Sequence, residues 1–130
     1  MINTEAFKLR DKLKKLNKSM IPPAISRKVA KNIDRLDQEC RYITDAIIKI
    51  RENYAQKDES GDPLIENNEY VYENESVREQ CIREQNDFMG DECKVELEKV
   101  TEAELNKLDE SERYDVLTVE QNAALLAILE

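Results

Sequence analysis

The fold is decided by one uninterrupted stretch, Ala24–Gln56, which reads AISRKVAKNIDRLDQECRYITDAIIKIRENYAQ. It contains neither glycine nor proline, and apolar residues recur along it at alternating spacings of four and three. We call the residues on this repeat the seam: Val29, Ile33, Leu36, Cys40, Ile43, Ile47, Ile50 and Tyr54. A heptad repeat of this length predicts one helix of about 33 residues, roughly 50 Å long, whose apolar stripe must be covered by neighbouring helices.

A basic amphipathic helix is predicted ahead of the long helix, within residues 1–20. From Thr4 to about Lys18, leucines recur on one face while the lysines lie mostly elsewhere. We expect this helix to dock on the protein's own core, because it lacks the tryptophan and most of the bulky apolar anchors of helices that lie on membranes. Pro22 and Pro23 end this section, and the pair can open the next helix as N-terminal prolines.

The chain is predicted to reverse after the long helix and then to supply a partner for the seam. Residues 57–68 include serine, glycine, aspartate and proline, which favour turns, and Tyr70–Tyr72 can form a short strand or an extended approach. Ser76 and Glu79 have the spacing of a capping box, which predicts a helix over 74–90 that packs antiparallel on the seam. Because this helix is too short, the first helix, the last helix or a second copy of the chain must cover the rest, and the pattern favours a homo-oligomer.

A strand followed by short helices is predicted over residues 93–130. Apolar and charged residues alternate over Cys93–Leu97, which is the period of a half-buried strand, and Tyr114–Leu117 can form a second small strand. Two further capping boxes are predicted, Thr101 with Glu104 and Thr118 with Gln121. The last helix is so rich in apolar residues that we expect it to dock on the core.

Together these patterns predict one mainly α domain over residues 1–130. Its core is expected to be an antiparallel helical hairpin or coiled coil, with a small β element in the C-terminal third. Aromatic residues make up only 5% of the chain and tryptophan is absent, so the interior must be built from aliphatic side chains. Such a composition favours helices over a sandwich or barrel, and two glycines and three prolines agree with it.

Composition also indicates where the protein works. The longest apolar run, Ala123–Leu129, is far shorter than the roughly 20 residues that span a bilayer, and no apolar stretch follows the basic N-terminus. We therefore expect no membrane association and no secretion. The cysteines are odd in number and widely spaced at positions 40, 81 and 93, and two of them lie where helices would bury them. This favours free thiols in a reducing cytoplasm.

The residues needed for most catalytic chemistry are missing from the sequence. It has no histidine, and glycines only at Gly61 and Gly90, which excludes a glycine-rich phosphate loop. The three cysteines lack the spacing of a zinc site, and residues 58–62 do not have the ligand register of an EF-hand. A pair of carboxylates is the remaining enzymatic option. We expect no enzyme, no cofactor and no metal site.

Charge divides the chain into two unlike parts. Met1–Lys57 has 14 basic and 7 acidic residues, a net +7, whereas Asp58–Glu130 has 6 basic and 22 acidic residues, a net −16. Four basic residues near the start of the long helix are a candidate anion or nucleotide site if symmetric copies converge: Arg27, Lys28, Lys31 and Arg35. The alternative is an ordinary solvated helix face. The total charge of −9 and the lack of interleaved aromatics disfavour direct nucleic-acid binding.

An acidic stretch follows the long helix and is a candidate surface for a partner protein. Its residues of interest are Asp58, Glu59, Asp62, Glu66, Glu69 and Glu73. These carboxylates could imitate a phosphate backbone, and complementary charge would give fast association with strong salt dependence. The alternative is an acidic surface that serves only solubility.

Residues in four parts of the chain resemble a family of small uncharacterised phage and prophage proteins. They are Lys31, Asn32, Leu36 and Glu39 of the long helix, the turn DESGD at 58–62, the strand CKVEL at 93–97 and the ending LTVEQNAALLAILE at 117–130. The resemblance covers roughly Ala24–Glu130. It implies a viral gene acting in the bacterial cytoplasm, and it supplies no active-site residues.

Three functions are compatible with these features. The first is a phage accessory protein that binds and inhibits a host defence component through the acidic stretch. The second is a homo-oligomeric sponge that sequesters a small nucleotide signal at the basic cluster. The third is a phage assembly or scaffold protein, for which the seam itself is the motivation.

Overall fold

The computed structural model describes residues 1–109 and 112–130. In this part of the chain the helices are α1 (Asn3–Leu16), α2 (Pro23–Tyr54), α3 (Glu75–Met89), α4 (Glu102–Asn106) and α5 (Val119–Ala127), and the strands are β1 (Ile65–Glu66) and β2 (Glu69–Tyr70). A short 3-10 turn, Lys107–Asp109, follows α4. The mainly α class is confirmed: helices pack against one another, and the sheet is a small antiparallel pair.

The long helix forms as the seam predicts. It runs without a break for 32 residues, with Pro22 at its N-cap and Pro23 as its first residue. Proline is tolerated there because the first N–H groups of a helix have no partner within the helix. The basic helix α1 is also confirmed, although it begins at Asn3 and ends at Leu16, ahead of the predicted Lys18.

Coverage of the seam differs between its two halves. Buried side chains follow α2 from its start as far as Ile43, at Ile25, Val29, Asn32, Leu36, Cys40 and Ile43. The last part, Ile47, Ile50 and Tyr54, is only half-buried. Helix α3 packs on α2 as predicted, but α1 packs on it more extensively, because the short connection 17–22 folds α1 back along the first half of the seam.

The predicted reversal after α2 is a β-hairpin. Ile65 lies opposite Tyr70 and Glu66 opposite Glu69, with Asn67 and Asn68 as the two turn residues. Both asparagines have positive φ angles, 51° and 64°, which asparagine tolerates better than most residues and which two-residue hairpin turns require. The paired strands therefore lie at the middle of the chain, whereas the small β element was expected in the last third.

The capping residue predicted for α3 is wrong. Asn74 is the N-cap, and its side-chain oxygen accepts a hydrogen bond of 3.0 Å from the Val77 amide. Ser76, which was expected to cap the helix, lies in its first turn. Asparagine and serine cap helices about equally well, so the residue types alone do not decide between Asn74 and Ser76. The helix begins two residues earlier than predicted. The helix ends at Gly90 as predicted.

The predicted strand over Cys93–Leu97 does not pair with another strand in the described residues. The alternation is nevertheless real, since Cys93, Val95 and Leu97 are half-buried and Lys94 and Glu96 are exposed. We call residues 93–99 the extended segment. Isolated bridges flank it, Ile2 with Glu92 and Val100 with Leu129, and its remaining partners are side chains of α2.

The second small strand, predicted over Tyr114–Leu117, is also not formed. This part of the chain is a loop in which the Asp115 amide donates a hydrogen bond of 2.8 Å to the Met20 carbonyl. Its carboxylate in turn accepts one of 2.7 Å from the Met20 amide. The loop is therefore fastened to the connection between α1 and α2 by a single residue, and not by a ladder of strand hydrogen bonds.

The two C-terminal caps are confirmed. Thr101 with Glu104 and Thr118 with Gln121 each form a reciprocal capping box at the start of α4 and α5. The predicted docking of the last helix is confirmed as well, because Ala124, Leu125 and Ile128 are buried in the same cluster as residues of α1 and α2. Across residues 1–109 and 112–130, no helix has the combined length and apolar character that crossing a bilayer demands.

Candidate functional site

Side chains of α2 hold the extended segment where a neighbouring strand would normally do so. Lys28, Asn32 and Arg35 lie on one face of the helix at spacings of four and three. Each donates a hydrogen bond to a main-chain carbonyl of the segment, at Lys99, Glu98 and Glu96 respectively. We call these three residues the latch. They fix the segment to the helix along its length.

Asn32 is the centre of the latch. Its side chain is fully buried, and its amide nitrogen donates to the Glu98 carbonyl at 3.0 Å while its oxygen accepts from the Glu98 amide at 2.7 Å. One carboxamide thereby satisfies both main-chain groups of a residue 66 positions away. Sequence analysis did not identify this role. The available signal was a polar residue at helical spacing from Val29 and Leu36, on the buried face.

The candidate nucleotide cluster is divided by these contacts. The Lys28 ammonium lies 2.7 Å from the Lys99 carbonyl and 2.6 Å from a Glu104 carboxylate oxygen. The Arg35 guanidinium donates to the Glu96 carbonyl at 2.8 Å and lies 3.4 Å from a carboxylate oxygen of Glu98. Both cations therefore have partners within the chain.

The other two members of that cluster are placed differently. Arg27 and Lys31 are exposed, and neither forms an ion pair with a described residue. The structure therefore does not bring the four cations together as one free anion site in a single chain. Nucleotide binding between copies of the chain stays a prediction.

Glu104 joins the latch to the cap of α4. The Lys28 ammonium, and after it the main-chain amide of Thr101, donate to its carboxylate and lower its pKa to about 2. A carboxylate that accepts several hydrogen bonds is stabilised in its charged form. The same side chain closes the capping box with Thr101, so Glu104 connects α4 to Lys28 of α2, which also bonds to Lys99 of the extended segment.

The predicted acidic surface lies on the hairpin end of the molecule. We call residues 57–73 the acidic hairpin. Its six candidate residues, Asp58, Glu59, Asp62, Glu66, Glu69 and Glu73, are all exposed. None of them forms an ion pair with any described residue. The one lysine of this region, Lys57, donates to the Glu52 carbonyl.

The geometry of the acidic hairpin is set by its own turns. The Asp58 carboxylate accepts hydrogen bonds from the amides of Ser60 at 2.8 Å and Asp62 at 3.0 Å, which shapes the first turn. At the tip, Glu66 and Glu69 are directly paired across the two strands. Like charges in opposite positions destabilise a sheet, so the tip concentrates negative charge at a cost in folding free energy.

An exposed apolar side chain lies on the face of the hairpin opposite the Glu66–Glu69 pair. Ile65 precedes Glu66 on β1 and is 56% exposed, although isoleucine is normally among the most buried residue types. Its cross-strand neighbour Tyr70 is half-buried. The tip therefore presents one exposed apolar side chain on one face and the paired carboxylates of Glu66 and Glu69 on the other.

The thiols are unpaired. Cys40 and Cys81 are buried, as the seam and α3 predicted, and Cys93 is half-buried. Burial raises the pKa of the Cys40 and Cys93 thiols, which favours the protonated and less reactive form. In residues 1–109 and 112–130, no three His, Cys, Asp or Glu side chains are grouped so that they could hold a metal ion.

These contacts separate two kinds of charged surface. At the latch, cations are used to fix the fold, whereas at the acidic hairpin, charge is exposed and unpaired within the described chain. The second arrangement suits recognition of a basic surface. Family models, curated proteins and solved structures were each compared with this chain, and none of them matches it.

Proposed function

We propose that this chain is a non-enzymatic phage accessory protein that binds and inhibits a host defence component through the acidic hairpin. The single observation that carries the proposal is the pairing of Glu66 with Glu69 at the hairpin tip, without a cation in the described chain to offset it. Two like charges that face each other across paired strands cost up to about 1 kcal/mol, and a basic partner would recover that free energy on binding.

The exposed isoleucine gives this surface an anchor. Ile65 is exposed on one face of the hairpin and can enter a pocket on the partner, while Glu66 and Glu69 present their carboxylates from the other face of the same two-stranded tip. Long-range attraction would then speed the encounter, and apolar burial at the centre would slow dissociation. The same arrangement predicts binding that weakens as the salt concentration rises.

Inhibition follows from occupation of a charged site. A host enzyme that acts on nucleic acid needs a basic channel, and carboxylates presented on a hairpin can fill it in place of phosphates. The resemblance of Ala24–Glu130 to phage and prophage proteins supports a bacterial host, and the three free thiols suit its cytoplasm.

The test compares three forms of the chain in affinity capture from bacterial lysate. The wild type is compared with Glu66→Gln/Glu69→Gln, which removes both tip charges, and with Asp34→Asn/Asp45→Asn, which removes two exposed charges from α2. We expect the wild type and the α2 variant to retain the same protein at low salt. The tip variant should lose it, because the surface charge that binds the partner is gone.

The captured protein must then be identified and assayed. We expect its activity to fall when the wild-type chain is added and to be unaffected by the tip variant. A phage should escape the defence when the infected strain expresses the wild-type chain, and should not escape it when the strain expresses the tip variant. Capture that is equal for all three forms, or a captured protein whose activity the chain leaves unchanged, would contradict the proposal.

A further inference from the structure

The extended segment has one edge that is only partly used. At its start, the Cys93 amide donates to the Met1 carbonyl at 3.0 Å. Just beyond its end, the Val100 amide donates to the Ile128 carbonyl at 2.8 Å, and the Val100 carbonyl accepts from the Glu130 amide at 2.9 Å. Between these points the main-chain groups of Val95 and Leu97 make no hydrogen bond within residues 1–109 and 112–130.

The open groups face the side away from the latch. Successive residues of an extended chain direct their N–H and C=O groups to opposite sides. Within residues 93–98, Glu96 and Glu98 bond to α2 and Cys93 bonds to Met1 on the other side, so Val95 and Leu97 share the direction of Cys93. The alternation ends at Lys99, whose carbonyl also accepts a hydrogen bond from Lys28 of α2. Four main-chain groups are therefore presented in a row, two donors and two acceptors.

A groove runs along this edge. Its volume is about 850 Å³, and it lies between α1, the extended segment and α5. Apolar side chains form much of its lining, among them Leu9, Val95, Leu97, Ala123, Ala124 and Ala127. The stretch from Cys93 to Glu98 covers five residue steps, or roughly 17 Å, which is long enough for a short added strand.

The rim of the groove has an excess of positive charge. Lys8, Lys12 and Lys99 line it and form no ion pair or side-chain hydrogen bond with any described residue, while Glu5 and Glu96 are its acidic members. From the contact of Met1 with Cys93, residues 5–12 of α1 and residues 95–99 of the extended segment line the groove side by side. Glu5 therefore lies nearer Met1, and the lysines lie further along, towards Lys99.

We propose that this groove binds an extended peptide segment of another protein, which adds as a strand to the edge at Val95 and Leu97. The peptide would run antiparallel, continuing the pairing of Met1 with Cys93. Alternate apolar side chains would enter the groove, and acidic residues at the peptide's N-terminal end would meet Lys12 and Lys99. This surface is separate from the acidic hairpin and does not depend on its function.

A row of free main-chain donors and acceptors favours a peptide over other apolar ligands. An acyl chain would fill the groove but would leave the N–H and C=O groups of Val95 and Leu97 without partners under a dry cover, which is unfavourable. A peptide strand satisfies them while its side chains cover Leu9 and the alanines of α5. The unpaired lysines then select acidic sequences over basic ones.

The test uses a fluorescently labelled peptide in which two aspartates precede alternating valine and threonine. Fluorescence anisotropy should show saturable binding to the wild-type chain. A peptide with N-methyl groups on the amides that face the edge should bind at least about tenfold more weakly, because edge hydrogen bonds are lost. Aspartates placed at the C-terminal end, near Glu5, should also weaken binding.

Variants of the chain locate the binding. Lys12→Glu/Lys99→Glu should weaken it by about tenfold or more at low salt. The matched control, Lys15→Glu/Lys31→Glu, makes the same change of charge at exposed positions outside the groove and should leave it unchanged. Val95→Pro removes the main-chain N–H of Val95, a donor on the edge that has no partner in the fold, and should therefore weaken peptide binding. Circular dichroism verifies that the helices of this variant remain.

The opposite results would overturn the proposal. These are absence of binding by the wild type, equal binding of the N-methylated peptide, or equal weakening by both charge variants. Sedimentation of the chain alone provides a further test. A dimer that Val95→Pro converts to a monomer would show that a second copy of the chain occupies the groove in place of a foreign peptide.

Discussion

The two ends of the long helix use polar residues in opposite ways. Near its start, Lys28, Asn32 and Arg35 are committed to the main chain of the extended segment. Beyond its end, the candidate carboxylates of the acidic hairpin form no ion pair with a cation of the described chain. Charged side chains therefore stabilise the fold at one end and are left available for a partner at the other.

The largest expected effect concerns the seam that joins these two ends. Leu36 is fully buried in its first half, and Leu36→Ala should lower the free energy of unfolding by about 3 kcal/mol through lost contacts and a cavity. Ile50 is half-buried in its second half, and Ile50→Ala should cost only about 1 kcal/mol. Urea unfolding measures both, and equal losses would contradict the difference in coverage.

The second-largest loss of stability is expected on removal of Asn32, the central residue of the latch. Asn32→Ala leaves the amide and carbonyl of Glu98 without partners in a partly buried position, at a cost of about 2 kcal/mol. Asn53→Ala changes an exposed asparagine of the same helix and should stay within about 0.5 kcal/mol of the wild type. Urea unfolding of both variants makes the comparison. Similar values for the two would mean that the latch contributes little.

The pH dependence of stability isolates the charge at the latch. Glu104 has its pKa lowered to about 2 from an ordinary 4.5, so its stabilising contribution is complete above about pH 4.5 and is lost as the pH falls towards 2. Glu104→Gln keeps a side chain that fits a capping box and lacks the charge. Its deficit in urea midpoint relative to the wild type should therefore shrink over this window.

A neighbouring glutamate provides the control for that measurement. Glu102 lies in the first turn of the same helix, is exposed and forms no ion pair with a described residue. Glu102→Gln should therefore show no comparable change between pH 4.5 and 2. A deficit of Glu104→Gln that stays constant over the window would contradict the assigned role of Lys28.

The smallest expected effect has the opposite sign and belongs to the hairpin. Glu66→Lys replaces a pair of like charges with a pair of opposite charges and should raise stability by about 0.5 kcal/mol at low salt. Glu59→Lys makes the same change of net charge away from the strand pair and should give less. Thermal unfolding at two salt concentrations measures both. A loss of stability in Glu66→Lys would contradict the repulsion at the tip.

Local patterns were sufficient for the helices. The seam predicted α2, and the threonines of the two C-terminal capping boxes placed the starts of α4 and α5 correctly. These features depend on residues at most a few turns apart, so the sequence contains all the information they need. The start of α3 was misplaced because Asn74 and Ser76 are both good caps and only packing decides between them.

Long-range pairing was not predictable in the same way. The alternation over Cys93–Leu97 correctly indicated which side chains are covered, but alternation reports burial and says nothing about what pairs the main chain. Its partner is Asn32, at 66 residues from Glu98, on a helix face that was interpreted from its cations alone. The acidic residues were correctly placed on the surface because unpaired carboxylates are rarely buried.

Because the extended segment is held on one side only, residues that are equally well ordered should differ in how strongly their amides are protected from hydrogen exchange. The amide of Glu98 is closed off by Asn32, so deuterium should enter it only when the surrounding core opens. The amides of Val95 and Leu97 belong to the same well-held segment, yet they should exchange early. Slow and fast sites would then alternate along a chain of uniform rigidity, and occupation of the groove would appear as slowing at the fast sites alone.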